Sequence, residues 1–376
     1  MKEDVSKQLL MVGPLPPPIG GASISFSLFC DYIDRHKVYK LYEVINSSPK
    51  YFKPRSRIFT LEGISRALRI ILQLIIKIGK FDQVVVFGPN TFLLSILPFI
   101  VVVSKVTNKP CYVRVFGGSL HMYYNNLSRL FRLIMLITLR YTSGLIVQTN
   151  IMYESFQKLL GKKVFYVPGY RLLSDETSID RLNEVNLEKD LRFVYIGDVK
   201  EEKGIYVLLE SLRMIQEKHH YLIRCDIYGP IHRDDETRLH HVLIDLPSVE
   251  YKGIIPAQQV VSVLPEYDVL LFPTFHPNEG HPGILLEAMI AGVASITTKF
   301  QSIPDLVQDG VNGLLVNPGD SDELADSILR LHNNRELLRD ITCNNYSKRL
   351  EYDAEKVIPV LIDALNYENA NKKNGR

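Results

Sequence analysis

Two glutamates stand where a polar ligand would be bound. Glu279 lies in a Pro- and Gly-containing turn after the short apolar run Val269–Phe272, and Glu287 follows inside an apolar helix pattern. The run predicts a buried strand of a parallel sheet, and ligands bind at the carboxyl ends of such strands. The start of the helix offers free N–H groups to a phosphate, whereas a carboxylate within the helix suits hydroxyl groups. The pair predicts a ligand that carries both phosphate and polyol.

A basic loop follows the predicted strand Arg192–Ile196. It reads GDVKEEKG from Gly197 to Gly204, with Lys203 just before a helix pattern. Glycine lets a backbone pass close to a ligand, and an ammonium beside free helix N–H groups suits a diphosphate. Alone, the loop reads slightly better as a solvated charge cluster. Together with the glutamates, it forms the basic half of one site.

Strands and helices must hold these loops in position, and both halves of the sequence contain patterns that predict them. The βαβ rhythm predicts an α/β fold with two doubly wound domains. Predicted strands cover 8–13, 38–44, 84–87, 110–116, 144–148 and 164–167, then 192–196, 223–228, 249–251, 269–272, 294–297 and 313–316. Predicted helices cover 22–35, 61–78, 91–103, 127–141, 205–218, 257–264, 284–291 and 321–331.

The domain boundaries follow from length and composition. At 376 residues the chain exceeds the size at which one core keeps growing. Residues 171–190 are polar and lack a strand pattern, which is typical of a linker. We predict an N-terminal domain at 1–170, a linker at 171–190 and a C-terminal domain at 191–345. Residues 346–376 are predicted to form a helix that returns to the N-terminal domain, followed by a tail.

The composition is that of an ordinary globular protein, with 46% hydrophobic and 23% charged residues. A net charge of +2 gives no support to a nucleic-acid partner. The four cysteines form no C-x-x-C pair and are typical of buried reduced thiols in a cytosolic protein. No secretory signal opens the sequence, so we expect a cytoplasmic location.

Two mostly apolar helix patterns carry arginine and lysine side chains. The first has Arg66, Arg69, Lys77 and Lys80, and the second has Arg129, Arg132 and Arg140. Helices of this kind can lie on an anionic membrane surface, or be core helices with one solvated face. The pattern leaves both readings open.

Residues 83–104 carry no charge, a length that could span a bilayer. The internal pattern argues for a different structure. VVVF is typical of a strand, GPN of a turn, and 91–103 of a helix that contains Pro98. We predict a buried strand and helix.

The order of these loops resembles the second domain of family 4 (group 1) glycosyltransferases, which have the GT-B fold. That family has a Lys-Gly loop followed by a Glu-x7-Glu motif, which stands here as EGHPGILLEAMIAG. IPDLVQDGVNGLLVNPGDSDELADSI matches the family's continuation, and PPIGGAS matches its N-terminal loop. The resemblance implies two Rossmann-like domains that face a central cleft. It also implies transfer of a sugar from a nucleotide diphosphate sugar with retention at the anomeric carbon.

The resemblance also implies roles for individual residues. Lys203 would contact the diphosphate, Glu279 the hydroxyls of the donor sugar, and Glu287 the ribose. Backbone amides around Gly283, Ile284 and Leu285 would receive phosphate. Gly197 and Gly280 belong to the same donor loops, and Gly20 and Gly21 would face donor phosphate and acceptor.

The sequence departs from the family pattern at two positions. Many members have an arginine after the glycine that is Gly197 here, but this chain has Asp198. Many also have a histidine at the end of the fourth strand, where this chain has Phe116. His121 lies close by in the sequence and either substitutes for it or is a surface histidine. Our catalytic candidates are therefore Lys203, Glu279 and His121.

We expect a UDP- or GDP-sugar donor, no cofactor and no metal. Asp320 and Asp322 resemble a D-x-D metal motif but stand at a helix start, where an N-cap is the better interpretation. The basic helices suggest a lipid-linked glycan acceptor in surface polysaccharide synthesis, with peripheral contact at the inner face of an anionic membrane. A nucleotide-sugar epimerase, a phosphorylase, and a degenerate GT-B binding or assembly subunit are the alternatives.

Overall fold

The computed structural model describes residues 7–49, 61–173 and 190–367. Most of the predicted linker and all of the predicted tail lie outside these ranges. The chain forms two compact units, Met1–Leu172 with Ala354–Arg376, and Leu173–Asp353. The helix Arg335–Lys348 crosses the boundary that we predicted at 345, and the second unit continues to Asp353.

The first unit is built on a six-stranded parallel sheet with the order β2-β1-β3-β4-β5-β6. Its strands β3, β4 and β5 are buried along their whole length, which explains their mostly apolar sequences, with Gln83 in β3 and Arg114 in β4 as the polar exceptions. The strands are β1 Gln8–Gly13, β2 Leu41–Asn46, β3 Gln83–Gly88, β4 Cys111–Val115, β5 Gly144–Val147 and β6 Val164–Tyr166.

Helices cover both faces of this sheet, and each face has its own core. One core joins the helix Gly21–Arg35 to the C-terminal helix Ala354–Leu365 through Phe26, Phe29 and Leu361. The other core lies under the remaining helices of this unit. These are Leu61–Lys77, Asn90–Ser95, Leu97–Val106, Leu120–Asn126, Arg129–Tyr141 and Asn150–Leu160.

The second unit has a parallel six-stranded sheet with the order β9-β8-β7-β10-β11-β12. This is the doubly wound order in which the first and fourth strands of a domain are neighbours. The chain adds β8 and β9 on one side of β7 and then β10, β11 and β12 on the other side. The loops after β7 and β10 therefore lie side by side. The strands are β7 Arg192–Ile196, β8 Arg224–Tyr228, β9 Val249–Gly253, β10 Val269–Phe272, β11 Ala294–Thr298 and β12 Leu314–Val316.

The helices of the second unit alternate with its strands along the chain. Helix Ile205–His219 packs against Ser321–Asn333, and both contribute to the core that also contains β7 and β8. Helix Gly283–Ile290 belongs to a second core, with β10 and Tyr352. The helices are Ile205–His219, Arg233–Ile244, Val260–Val263, Gly283–Ile290, Ile303–Leu306, Ser321–Asn333 and Arg335–Lys348.

The uncharged stretch 83–104 departs in part from its prediction. The strand β3 is buried as expected. The predicted helix 91–103 is instead two helices, Asn90–Ser95 and Leu97–Val106. The chain starts a new helix here because Pro98 is the second residue of Leu97–Val106, a position near a helix start that suits proline. The second of them is not buried all round, since Val102 and Val106 are exposed. Within the three described ranges, no helix has the length and apolarity to cross a bilayer.

Candidate functional site

The loops after β7 and β10 meet at the point where the strand order of the second sheet reverses. The backbone N–H of Phe275, in the loop after β10, donates to the carbonyl of Glu202, in the loop after β7 (2.9 Å). In a doubly wound sheet this is the place where a ligand binds. The structure thus brings together the two loops that the sequence singled out.

Gly204 is the residue that lets the two loops approach so closely. Its φ is +79°, a left-handed conformation that favours glycine. A Cβ atom at this position would lie 2.0 Å from the carbonyl oxygen of Pro273. No side chain fits there, so the glycine of the Lys-Gly loop is required by the fold. Gly204 also separates the 3₁₀ turn Glu201–Lys203 from the helix Ile205–His219, as predicted.

Lys203 and Glu279 form an ion pair across the two loops. The Lys203 ammonium donates a short hydrogen bond to Oε1 of Glu279, and both side chains are largely buried, with 18% and 8% exposed. The hydroxyl of the fully buried Thr274 donates to the same carboxylate oxygen (3.0 Å). The ammonium also lies 5.5 Å from the centroid of the Phe272 ring. The carboxylate is thus held by two donors of fixed position.

The turn that carries Glu279 is fixed by its own hydrogen bonds. The N–H of Glu279 donates to the carbonyl of His276 (3.0 Å), and the N–H of Asn278 donates to Nδ1 of His276 (3.3 Å). The buried hydroxyl of Ser302 donates to the carbonyl of Gly280 (2.7 Å). The turn is therefore ordered without a ligand, and Gly280 serves within it as a backbone acceptor.

The helix Gly283–Ile290 begins directly after this turn. The N–H of Leu285 donates to the carbonyl of Pro282 (3.1 Å), and its phosphate contact stays a prediction. The amides of Gly283 and Ile284 precede any intrahelical acceptor and are the ones that face outward from the helix start. Glu287 lies one turn further along and is buried. The helix is followed by Gly292 at φ +63°, the left-handed conformation that glycine commonly adopts after a helix end.

Asp198 adds negative charge beside the first loop. The hydroxyl of the buried Tyr195 donates to the backbone carbonyl of Asp198 (2.8 Å). Burial raises the pKa of Tyr195 well above its usual value, and the charges of Asp198 and Glu279 raise it further. Both carboxylates therefore lie close enough to Tyr195 to raise its pKa.

Gly197, which follows β7, lies close to the ring of Phe272. A Cβ atom added at Gly197 would lie 3.4 Å from that ring.

His276 is a member of the site that sequence reasoning missed. Its Nε2 lies 3.5 Å from a carboxylate oxygen of Glu202. Its pKa is lowered from 6.5, mainly because the ring is buried and further because Lys203 and Lys200 lie nearby. A lowered pKa keeps the ring neutral at pH 7, so His276 does not replace the missing arginine as a cation. Thr274 and Ser302 were also missed, because no sequence pattern marks a hydroxyl that holds a neighbouring turn.

The remaining candidates belong to the first unit and lie at the carboxyl end of its own sheet. Gly20 precedes the helix Gly21–Arg35, and its N–H donates to the Ser23 hydroxyl (3.0 Å). A Cβ at Gly21 would meet no atom within 4 Å. The fold of this unit therefore does not require glycine at position 21.

His121 is the second residue of the helix Leu120–Asn126, which follows β4. The Asn90 side-chain amide, after β3, donates to the hydroxyl of the buried Ser119, after β4 (2.9 Å), which joins the two loops. Burial lowers the pKa of His121. Phe116 packs against the core, with its ring centroid 6.1 Å from that of Phe87. An aromatic core contact thus occupies the position of the family's histidine.

Asp320 is an N-cap, as predicted, and Asp322 lies in the first turn of the same helix. The Asp320 carboxylate accepts the backbone N–H of Glu323 (2.9 Å) at the start of the helix Ser321–Asn333. Such a bond satisfies one of the free amides at a helix start. The motif is therefore explained by local structure.

Two Rossmann-like sheets and a switch-point site of this kind define the GT-B fold, and solved structures agree. The chain matches HepE of Anabaena in complex with UDP with a TM-score of 0.72 at 15% identity, over 96% of this chain and 100% of that one. Sucrose-phosphate synthase of Thermosynechococcus elongatus gives a TM-score of 0.75 at 14% identity, over 97% and 100%. The fold is GT-B. Residues 190–334, which lie in the second unit, match the family model of the glycosyl transferases group 1.

Curated relatives match over part of their length. The amylovoran biosynthesis glycosyltransferase AmsK of Erwinia amylovora is 29% identical over 153 residues, 39% of this chain and 37% of that protein. The capsular polysaccharide biosynthesis glycosyltransferase CapM of Staphylococcus aureus is 28% identical over 157 residues, 42% of this chain and 40% of that protein. The matched region spans less than half of each of these relatives.

Proposed function

We propose that this protein is a glycosyltransferase that moves a sugar from a nucleotide diphosphate sugar to a hydroxyl acceptor in surface polysaccharide synthesis. One observation carries the proposal. The Lys203 loop and the Glu279 turn meet at the switch point of the second sheet, beside the start of the helix Gly283–Ile290. A cation, a carboxylate and free helix amides within one site suit a ligand with both diphosphate and sugar.

The proposal assigns each part of the donor to named groups of the site. The diphosphate accepts hydrogen bonds from the amides of Gly283 and Ile284 and from the Lys203 ammonium. Glu287 binds the ribose hydroxyls, and Glu279 binds the hydroxyls of the transferred sugar. Lys203 is the main cation of the site, because Asp198 stands where the family pattern has arginine and His276 is neutral at pH 7.

Catalysis in this proposal depends on stabilising the leaving diphosphate. Lys203 and the helix amides are positioned before the reaction, so charge that develops on the leaving oxygen meets fixed donors. Glu279 is engaged by Lys203 and Thr274, which suits a hydrogen-bond acceptor better than a covalent nucleophile. A front-face reaction through an oxocarbenium-like transition state, with retention at the anomeric carbon, is the mechanism that follows.

The acceptor side is proposed for the first unit. Gly20, Gly21 and His121 lie at the carboxyl ends of strands in that unit and are the candidates to meet the acceptor. A lipid-linked glycan is the proposed acceptor, with the protein at the inner face of a membrane. Curated relatives named for amylovoran and capsular polysaccharide biosynthesis support this substrate class.

Titration calorimetry with UDP and GDP tests the donor site. Lys203→Ala and Glu287→Gln are expected to weaken binding of the preferred nucleotide at least ten-fold, because each removes a charged contact. Lys218→Ala and Glu210→Gln make the same changes at exposed positions and are the controls. Circular dichroism verifies that each variant is folded. Wild-type binding in both site variants would disprove the donor site.

A second assay separates the alternatives, because Asp198 and Phe116 also fit a degenerate subunit that binds a donor without reacting. The wild type is incubated with a panel of UDP- and GDP-sugars, with and without lipid-linked glycan acceptors. Transfer, with the anomeric configuration read by NMR, supports the proposal. Conversion of the donor sugar without an acceptor identifies an epimerase. Donor binding with neither transfer nor hydrolysis identifies a binding subunit.

A further inference from the structure

Three adjoining helices of the first unit share an unusual distribution of apolar side chains. Leu61–Lys77 packs beside Leu97–Val106, which packs beside Arg129–Tyr141. All three cover the same face of the first sheet and contribute to one core, for example through Leu74 and Met135. A surface helix normally has one apolar stripe, which faces the core, and a polar opposite side. Each of these helices has a second apolar stripe that faces away from the core.

The helix Leu61–Lys77 shows the two stripes clearly. Ile70 and Leu74 are fully buried against the sheet, whereas Leu68 and Leu72 are more than half exposed. The exposed pair is four residues apart, a spacing that places both on one side of a helix. Ile76 continues this outward stripe and is 76% exposed.

The neighbouring helices repeat the arrangement. Val102 and Val106 form an outward stripe on the second helix, and Val106 is 82% exposed. On the third helix, Leu130 and Ile137 are exposed, the first of them 63%. We call these three outward stripes together the apolar platform. Contiguous exposed apolar surface on this scale marks a binding surface in a soluble protein.

Two of the three helices of the apolar platform lie in a stretch of the sequence that has no acidic residue. The sequence contains no aspartate or glutamate between Asp82 and Glu154. Lys105, Arg129 and Arg140 are exposed, and no ion pair to them is found in the part of the chain that the structure describes. They stand next to the outward stripes in the sequence. A platform with a basic rim is complementary to an anionic surface.

Two of the other basic residues that the sequence suggested, Lys77 and Arg132, are already engaged. Lys77 pairs with Glu43 (2.5 Å). Arg132 donates to the carbonyls of Asn125 and Leu127 and stacks over the ring of Tyr124. The structure therefore selects a smaller set of cations than the sequence pattern did.

We propose that the apolar platform docks on a bilayer that contains anionic lipid, with its apolar side chains at the headgroup–acyl boundary and Lys105, Arg129 and Arg140 against the headgroups. A second copy of the chain is the competing occupant. A two-fold interface would bring the same basic rim of both copies together, and like charges disfavour it. A lipid-linked acceptor would explain why the protein binds a membrane, so the biological role of this contact rests on the proposed function. The vesicle experiment that tests the contact does not depend on that function.

Vesicle co-sedimentation of the full chain tests the proposal. The probe is vesicles of phosphatidylcholine and phosphatidylglycerol in equal parts, compared with phosphatidylcholine alone. The apolar variant Ile76→Gln/Val106→Gln/Leu130→Gln is expected to bind at least ten-fold more weakly. The charge variant Lys105→Gln/Arg129→Gln/Arg140→Gln is expected to lose about five-fold for each cation, with a shallower dependence on salt. The matched control Leu222→Gln/Ile244→Gln/Val360→Gln changes exposed apolar residues elsewhere and should bind as the wild type does.

The outcomes are separable. Loss of binding in the platform variants, with the control unchanged, supports the proposal. Equal binding by all variants, or no binding by the wild type, overturns it. A wild-type dimer in analytical ultracentrifugation that the apolar variant dissociates overturns it in favour of a second copy. UDP binding, measured in parallel, should be the same in all of these variants, so failure of the donor assignment would be seen independently.

Discussion

The ammonium of Lys203 is bonded to the carboxylate of Glu279, although the two residues lie on different loops and the sequence assigns them different parts of the ligand. Each residue neutralises the other where water is largely excluded. The pair also ties the loop after β7 to the turn after β10. The site is therefore preorganised by its own charges, and a donor must exchange this contact for its own.

The pair predicts coupled losses of stability. Lys203→Ala leaves the Glu279 carboxylate buried without its cation and should cost about 2 to 3 kcal/mol, below the range for fully buried pairs because Lys203 is 18% exposed. Glu279→Gln should cost about 1 to 2 kcal/mol, since the freed ammonium reaches water more readily. Denaturant unfolding measures both.

The double variant supplies the control. Once one partner is absent, removing the other should cost little, so Lys203→Ala/Glu279→Gln should be destabilised by about 1 to 2 kcal/mol less than the sum of the single variants. Additive losses would show that the two side chains do not interact in solution. The exposed pair Lys252→Ala/Glu250→Gln should show almost no coupling.

Two glycine substitutions should have opposite effects. Gly204→Ala places a Cβ against the Pro273 carbonyl in a left-handed conformation and should cost about 3 kcal/mol of stability. Gly21→Ala enters open space at a helix start and should change stability by no more than about 1 kcal/mol, in the stabilising direction. Thermal unfolding compares the two. If position 21 meets donor or acceptor, Gly21→Ala should lower transfer while the protein remains stable, and unchanged transfer would remove Gly21 from the site.

The cysteines should differ in reactivity. Burial raises the pKa of Cys30 and of Cys111 to about 12 and raises that of Cys225 as well, which removes the reactive thiolate. Cys343 is half-buried. Iodoacetamide at mildly alkaline pH should therefore modify Cys343 in the native protein, and the other three only after unfolding, as peptide mass spectrometry can show. Native labelling of Cys111 in the core of the first unit would contradict the fold at β4.

Acidification should destabilise the protein through His276. Its pKa in the folded chain lies below the ordinary 6.5, so the unfolded chain binds the proton more readily. Stability therefore falls as pH decreases through about 6.5 towards the folded pKa. Denaturant unfolding between neutral and mildly acidic pH gives the slope of the unfolding free energy against pH, and His276→Gln should reduce that slope. The slope that remains comes in part from His121 and His332, whose pKa values are lowered as well. An unchanged slope would show that His276 is not buried as described.

Much of the second unit could be predicted from local sequence. The bounds of β7 and β10 are those that the apolar runs indicated, and the helix Gly283–Ile290 differs from its prediction by one residue at each end. Short apolar runs bounded by Gly and Pro leave few alternatives. The meeting of the two loops could be expected as well, because parallel strands end at one edge of a sheet.

The side-chain contacts within the site could not be predicted, because they depend on how the turn folds and on which loops meet, and neither leaves a pattern in the sequence. Nothing near Thr274 or Ser302 shows that their hydroxyls hold Glu279 and Gly280. The second apolar stripe on Leu97–Val106 was hidden for a related reason. Its sequence is apolar on all sides, and only the packed structure shows which side the sheet covers and which side it leaves exposed.

The helix Ala354–Leu365 has a consequence for how the chain folds as it is synthesised. One face of the first sheet obtains part of its core from Val357, Ile358 and Leu361, which leave the ribosome after the whole second unit. Until then Phe26 and Phe29 have neighbours such as Phe87 but lack the part of their core that this helix supplies. The second unit, which is continuous in sequence, can complete its core first. We therefore expect the second unit to complete its core before the first one does, which reverses the usual order in which domains fold during synthesis.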